Sequence, residues 1–210
     1  NIPSSWKAVI YMGFDLYGLK PKIKKGSVRP PAIDWNKCTK GERDKYFKIS
    51  NKWEADNVGI YFRNNVWWWR PLADLVEKLC FFLTDKQKKH LHDNGGHEYG
   101  EATAHKIADT LDAFVKSPVA KRTEINHKKE MKKADAHNKK VQVKLDALKM
   151  DAIAQTRKKD IAPRDYPKDL HDKWESIYRE HDHTSSYPFT LKNVKRFTKF
   201  LRECGGFTVC

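Results

Sequence analysis

Apolar and polar residues alternate in Phe14-Asp15-Leu16-Tyr17, between Gly13 and Gly18, and this period of two predicts a short strand over about 12–17. The run Ile60-Tyr61-Phe62-Arg63-Asn64-Asn65-Val66-Trp67-Trp68 reads as a second strand at about 60–68. Pro71 follows, well suited to the first position of a helix because its missing N–H costs nothing there. That helix is expected over 71–83, with Leu72, Leu75, Val76, Leu79, Phe82 and Leu83 on one side. Thr84 suits the N-cap of a short helix from Asp85 to about Leu91, and Asp93-Asn94-Gly95-Gly96 reads as a turn. Ala104, Ile107, Ala108, Leu111 and Val115 mark a helix over about 100–116, ended by Ser117-Pro118. A last helix over 190–203 points Val194, Phe197, Phe200 and Leu201 inward, and Gly205-Gly206 turns the chain into a terminal strand, 207–210. The expected fold class is α+β, mainly α-helical. The N-terminal, central and C-terminal strands form one small sheet, so the two chain ends are expected to pair.

Two stretches break this pattern. Residues 20–59 are basic and loop-like, with one short helix near Glu42–Ile49. Residues 119–160 contain no Gly and no Pro and are rich in Lys, Ala, Glu and Gln, which predicts a long exposed helix or a helical hairpin. Met131, Ala134, Val141, Leu145, Leu148 and Ala152 step by three and four along it if Asn138 fills the gap, a weak seam of about three heptads. After Ala162-Pro163 the chain reads as loop with a helix at 168–180. The implied organisation is one globular domain from 12–118 and 185–210, with 20–59 inserted as a basic loop and 119–184 as a projecting basic arm and linker.

Composition narrows the class. The chain has 210 residues and a net charge of +15, with 33% charged and 39% hydrophobic residues. Seven Trp, eight Tyr and ten Phe supply enough aromatic mass for a core. No apolar run approaches the roughly 20 residues of a spanning helix, so no membrane partner is expected. The charge is uneven: +6 over residues 1–60, zero over 61–120, +7 over 121–160 and +2 over 161–210. A localised excess of this kind is the footprint expected for phosphate or another anionic partner. The four cysteines, Cys38, Cys80, Cys204 and Cys210, form no Cys-x-x-Cys pair, and Asn1–Tyr11 lacks the pattern of a signal peptide. Free thiols in a reducing cytoplasm are therefore expected.

Three strings carry a resemblance: Met12-Gly13-Phe14-Asp15-Leu16-Tyr17-Gly18; Tyr61-Phe62-Arg63-Asn64-Asn65-Val66-Trp67-Trp68-Trp69-Arg70-Pro71-Leu72; and Tyr187-Pro188-Phe189 with Asn193-Val194, Phe200-Leu201-Arg202 and Gly205-Gly206-Phe207. Covering about half the chain, they are similar to a family of uncharacterised proteins of tailed bacteriophages, prophages and marine viral metagenomes. The resemblance implies a phage origin and life in the host-cell cytoplasm, and it implies no activity. Relatives begin at the Met-Gly-Phe-Asp start, which makes Met12 the expected initiator and 1–11 a read-through extension. Some relatives carry Cys pairs in the region corresponding to 120–185; this chain lacks them, so no zinc role is carried over there.

Four features are candidates for chemistry. On a strand, Trp67 and Trp69 face opposite to Trp68, and the three serve either as core or as an aromatic platform for bases, with Arg63 and Arg70 holding phosphates. His90, His92, His97, Glu98, Glu101, His105 and His181-Asp182-His183 are grouped, but no His-Glu-x-x-His spacing occurs and no metal or cofactor is assigned. Asp15, Asp74, His97 and Glu101 form the candidate set of a hydrolase, metal-dependent or not, although Asp74 lies four residues after Arg70 and is placed to bridge to it. Lys128, Lys129, Lys132, Lys133, Lys139 and Lys140 make the arm a nucleic-acid contact or an ordinary solvated helix. Two functions are therefore open. One is a non-enzymatic phage accessory protein that binds nucleic acid or a host macromolecule; the other is the hydrolase. They differ in whether the four side chains meet. The residues leave the oligomeric state open.

Overall fold

The computed structural model describes Gly13–Cys210, so the expected extension 1–11 lies outside the described residues. The chain falls into two compact units. The first runs to Arg122 and resumes at Phe189; the second is Thr123–Pro188.

The first unit is built on a four-stranded antiparallel sheet in the order β2-β1-β4-β3, with β1 Gly13–Gly18, β2 Tyr61–Asn65, β3 His97–Tyr99 and β4 Phe207–Val209. The expected pairing of the two ends is present, with Leu16 opposite Val209 and Gly18 opposite Phe207. Gly205 and Gly206, at φ 60° and 92°, turn the chain from the last helix into β4 in a region that a side chain disfavours. One sheet face buries Phe14, Leu16, Phe62, Phe207 and Val209. Three helices complete this core: α2 Val66–Leu79, α4 Glu101–Lys116 and α7 Leu191–Glu203. Helices α2 and α7 touch the sheet, and α4 packs on both. The helical stripes read from 100–116 and 190–203 are the buried ones: Ala104, Ile107, Ala108 and Leu111 on α4, and Val194, Phe197, Phe200 and Leu201 on α7.

Several elements differ from the pattern reading. The helix expected to reach Leu83 ends at Leu79, leaving Phe82 exposed while Leu83 is buried beyond the helix end. The second strand stops at Asn65, and the Trp run is helical. Asn65 is extended (φ −76°, ψ 164°) and its Oδ1 accepts from the Trp68 N–H at 3.1 Å, a cap that starts α2 five residues before Pro71. A helix sends Val66, Trp69, Leu72, Ala73 and Val76 into the core together, whereas a strand would divide the three indoles between two faces. Residues 97–99 form a strand, because Val209 and Phe207 offer them a free edge. The helix inserted in the basic segment, α1 Lys40–Asp56, is longer than the expected Glu42–Ile49. It buries no residue and is set by a capping box in which Thr39 Oγ1 accepts from Glu42 N–H and Glu42 Oε2 accepts from Thr39 N–H at 2.7 Å.

The short helix α3, Asp85–His90, has its own box between Thr84 and Gln87. The second unit holds most of α5 Pro118–Thr156 and a returning segment with α6 Lys168–Tyr178. Ala134, Val141, Leu145, Leu148 and Ala152 are buried along α5, as their spacing predicts. Asn138 fills the gap in that seam as a bracket: its amide donates to Asp182 O at 2.9 Å and its Oδ1 accepts from Asp182 N–H at 2.9 Å. Ile161, Tyr166 and Leu170 close a small core against Leu148 and Ala152. No helix among the described residues is long and apolar enough to cross a membrane.

Phe207 is fully buried, with its ring 4.6 Å from Tyr99 and nearly parallel to it. Phe207→Ala should lower unfolding stability by about 3–5 kcal/mol, the usual cost of emptying a phenylalanine site, in a denaturant titration. The thiols give a second check. Cys80 and Cys204 are buried, which pushes each up to about 11, while Cys210 is exposed and Cys38 partly so. A thiol reagent at neutral pH should label Cys38 and Cys210 promptly and reach Cys80 and Cys204 only on unfolding.

Candidate functional site

The residues singled out as catalytic keep separate company. Asp15 is on the sheet face opposite the core, where its carboxylate accepts a hydrogen bond from Tyr61 Oη and faces Arg63 Nε at 3.6 Å. Burial and then the Asp15 hydrogen bond and charge hold the Tyr61 phenol well above its ordinary range. Tyr17 lies beside it, with ring centres 5.2 Å apart. Asp74, on α2, is raised mainly by desolvation, partly offset by His92, whose Nε2 is 3.8 Å away and 3.1 Å from Glu77. Arg70 also acts on Asp74, as the four-residue spacing suggested. Glu101 opens α4. Among the described residues, no three of Asp15, Asp74, His97 and Glu101 bring ligand atoms within 4.8 Å of one another.

A different group does converge. His90 ends α3, Asp93 lies in the turn, and His97 opens β3; among the described residues this is the one group of three whose ligand atoms all lie within 4.8 Å of one another. His90 Nδ1 is 3.0 Å from Asp93 Oδ2, and His97 Nε2 is 3.3 Å from Asp93 Oδ1. Asp93 is held below the usual carboxylate range, first by the hydrogen bond to His90 and then, against some desolvation, by the Gly95 N–H and the two imidazoles. The histidines were visible in the sequence, but Asp93 reads there only as a turn residue. A three-residue reach from α3 to Asp93, and four from Asp93 to His97, was the available signal.

Two of the three indoles of the Trp run belong to the core, and Trp68 is half-buried. Trp69 is fully buried, stacks on Phe14 at 5.6 Å, meets Phe197 edge-on at 5.5 Å and donates its indole N–H to Leu91 O at 2.6 Å. Trp67 packs against the same core. Arg63, one of the two expected phosphate ligands, spends its charge beside Asp15.

The cations fall into paired and unpaired sets. On the arm, Lys128 is 4.0 Å from Glu124 and Lys133 is 2.8 Å from Glu130. Lys129, Lys132, Lys139 and Lys140 are exposed and make no ion pair among the described residues. A second set lies on α7, which sequence reasoning read only for its apolar stripe. Lys192, Lys195, Arg196 and Lys199 follow i, i+3, i+4, i+7 spacing on its outward face, all exposed and without an ion pair among the described residues. Arg196 lies over the Phe62 ring at 5.3 Å, and it shares a groove of ≈ 460 Å³ with Tyr61, Phe62, Arg63 and Lys199. By contrast Arg202, one turn on, is clamped by Asp109 at 2.7 Å and Asp112 at 2.8 Å. The three- and four-residue spacing of the α7 cations was the signal for this face.

Compared with protein-family models, curated proteins and solved structures, the chain finds no match.

The Asp15–Tyr61 contact makes a prediction. In a spectrophotometric alkaline titration Tyr61 should ionise above ordinary tyrosines, and Asp15→Asn should bring its midpoint down without restoring it fully, because burial remains. The fold favours the neutral phenol. Its contribution to stability is therefore full below the ordinary tyrosine value of about 10 and falls away as the pH climbs through the raised folded value.

Proposed function

We propose that the protein is a non-enzymatic phage accessory module that binds nucleic acid through its phosphate backbone, acting in the host-cell cytoplasm. The observation that carries this reading is the outward face of α7. Lys192, Lys195, Arg196 and Lys199 form one exposed row with no acidic partner among the described residues. A helix surface designed only for solubility mixes both signs, as the arm does at Glu124–Lys128 and Glu130–Lys133. The arm's Lys129, Lys132, Lys139 and Lys140 supply a second unpaired set, in the part of the chain with the largest charge excess. The phage assignment rests on the three sequence strings, above all the Phe-Arg-Asn-Asn-Val-Trp-Trp-Trp-Arg-Pro run.

Lysines on helix faces give phosphate contact with little base readout, so sequence preference should be slight. The test is affinity for a mixed-sequence duplex and a single strand as a function of salt. The parent should bind, with a log–log slope of about −0.9 per phosphate neutralised on duplex. Changing Lys192, Lys195, Arg196 and Lys199 to Gln should flatten that slope. A second variant changes Lys128, Lys129, Lys132, Lys133, Lys139 and Lys140 to Gln. If the arm contributes, this variant flattens the slope independently. All these residues are exposed, so stability should move by about 0.5 kcal/mol or less per site. No binding by the parent at about 50 mM salt, where phosphate contacts are strongest, overturns the nucleic-acid reading and leaves a host protein as partner.

A further inference from the structure

We propose that His90, Asp93 and His97 form a binding site for one divalent transition-metal ion of the zinc class, held between the end of α3 and the start of β3.

The donor set comes first. Two imidazole nitrogens and a carboxylate are the ligands that select zinc, cobalt or nickel over magnesium or calcium, which prefer all-oxygen sites. A tetrahedral zinc ion with bonds of about 2.0–2.1 Å places its ligand atoms about 3.3 Å apart. His90 Nδ1 lies 3.0 Å from Asp93 Oδ2 and His97 Nε2 3.3 Å from Asp93 Oδ1, and one ligand atom from each of the three residues falls within 4.8 Å of the others. The two rings lie face to face, with centres 3.1 Å apart and planes 20° from parallel, so both must rotate before their in-plane lone pairs aim at one ion.

The scaffold comes second. All three ligands sit on a segment that is tied at every step. Leu91 is fully buried, and its carbonyl accepts the Trp69 indole N–H. The Asn94 amide donates to Gly13 O at 3.2 Å, the Gly96 N–H to Val209 O at 2.8 Å, and the Gly95 N–H to Asp93 Oδ1 at 3.1 Å. Gly95 leaves room for the ligands: a Cβ there would stand 2.6 Å from His97 Nε2 and 2.9 Å from Asp93 Oδ1. His90 Nε2 is buried without a hydrogen-bond partner, so Asp93 is the ring's polar anchor. The Asp93 and His97 side chains are 42% and 35% exposed, which gives an ion entry from solvent and leaves its fourth position to water.

The site is independent of the cationic faces, and so is its test. The full chain, freed of metal with a chelator, is titrated with Co²⁺ and followed by visible absorption, with Zn²⁺ as competitor. One equivalent should bind at micromolar concentration, giving the intense bands of four- or five-coordinate cobalt that Zn²⁺ abolishes, and the melting temperature should rise with metal concentration. His97→Ala and Asp93→Asn should each weaken binding by about tenfold or more, since losing even an outer partner of a ligand costs that much. Asp93→Asn keeps an oxygen for the Gly95 N–H and so tests the charge with the turn intact. Gly95→Ala should weaken binding likewise. His92→Ala, which removes the neighbouring imidazole beside Glu77, should leave binding unchanged. The proposal is overturned by the absence of saturable one-to-one binding, by binding that Asp93→Asn and His97→Ala leave intact, or by loss of binding in His92→Ala.

Discussion

The last strand of the chain, with Phe207 and Val209 in the core, holds the first unit together. Strand β4 lies between β1 and β3, so Phe207–Val209 hydrogen-bond on both edges. The ladder is extended by Asp15 and Cys210, whose backbone groups exchange bonds at 2.8 and 3.0 Å, and by Leu19 N–H to Gly206 O at 2.8 Å. Phe207 stacks on Tyr99, whose hydroxyl donates to Gln87 O at 2.5 Å, so the same ring also ties α3 to the sheet. Both β1–β4 and β3–β4 are contacts of long sequence separation, whose closure entropy is spent before any ladder energy returns. Helix α7 and the sheet therefore complete each other: Phe197 and Phe200 meet Phe62 and Phe207 in one aromatic cluster.

Much of this was legible because it rests on periodicity. The stripes of α4 and α7 have clean three- and four-residue steps ending at Ser117-Pro118 and Gly205-Gly206, and even the polar Asn138 showed as a gap in the α5 seam. What could not be read is what neighbours decide. Trp67–Trp69 has the composition of a strand, and only the Asn65 cap and the shared direction of Val66, Trp69 and Ala73 make it a helix. Residues 97–99 are a strand only because β4 offers an edge. Helix α1 has no apolar face to betray it, although Thr39 and Glu42 spelled out its start. The candidate site was half legible for the same reason. Histidines attract notice, but that Asp93 would stand between His90 and His97 depends on a turn whose path is set by Leu91, Asn94 and Gly96. Asp15 looked like a catalytic carboxylate between glycines; cross-strand register instead gives it Arg63 directly opposite.

Charge is distributed by the same logic of neighbours. Arg202 is paired with Asp109 and Asp112 of α4, while Lys192, Lys195, Arg196 and Lys199 are exposed and make no ion pair among the described residues. Buried Val194, Phe197 and Leu201 fix the rotation of α7, so the core dictates which cations are clamped and which are free. A cationic row positioned by a rigid apolar face keeps its spacing, and fixed spacing is what allows several phosphates to be met at once without ordering each side chain from scratch.

Trp69 joins these strands of argument. Its indole fills the space between Phe14 and Phe197, which accounts for the helical start at Val66. Its N–H reaches the carbonyl of Leu91, one residue beyond His90. A buried indole without that acceptor would leave an orphaned donor at a cost of about 1–3 kcal/mol, so the Leu91 backbone is held where it is by the core itself. His90 is covalently next to that fixed point, His97 is fixed by β4, and Asp93 lies between them on a turn pinned to Gly13. The three side chains are thus brought together by elements whose own stability does not depend on them. An ion then has to reorient side chains already held within 4.8 Å of one another, and need not gather them from separate parts of the chain.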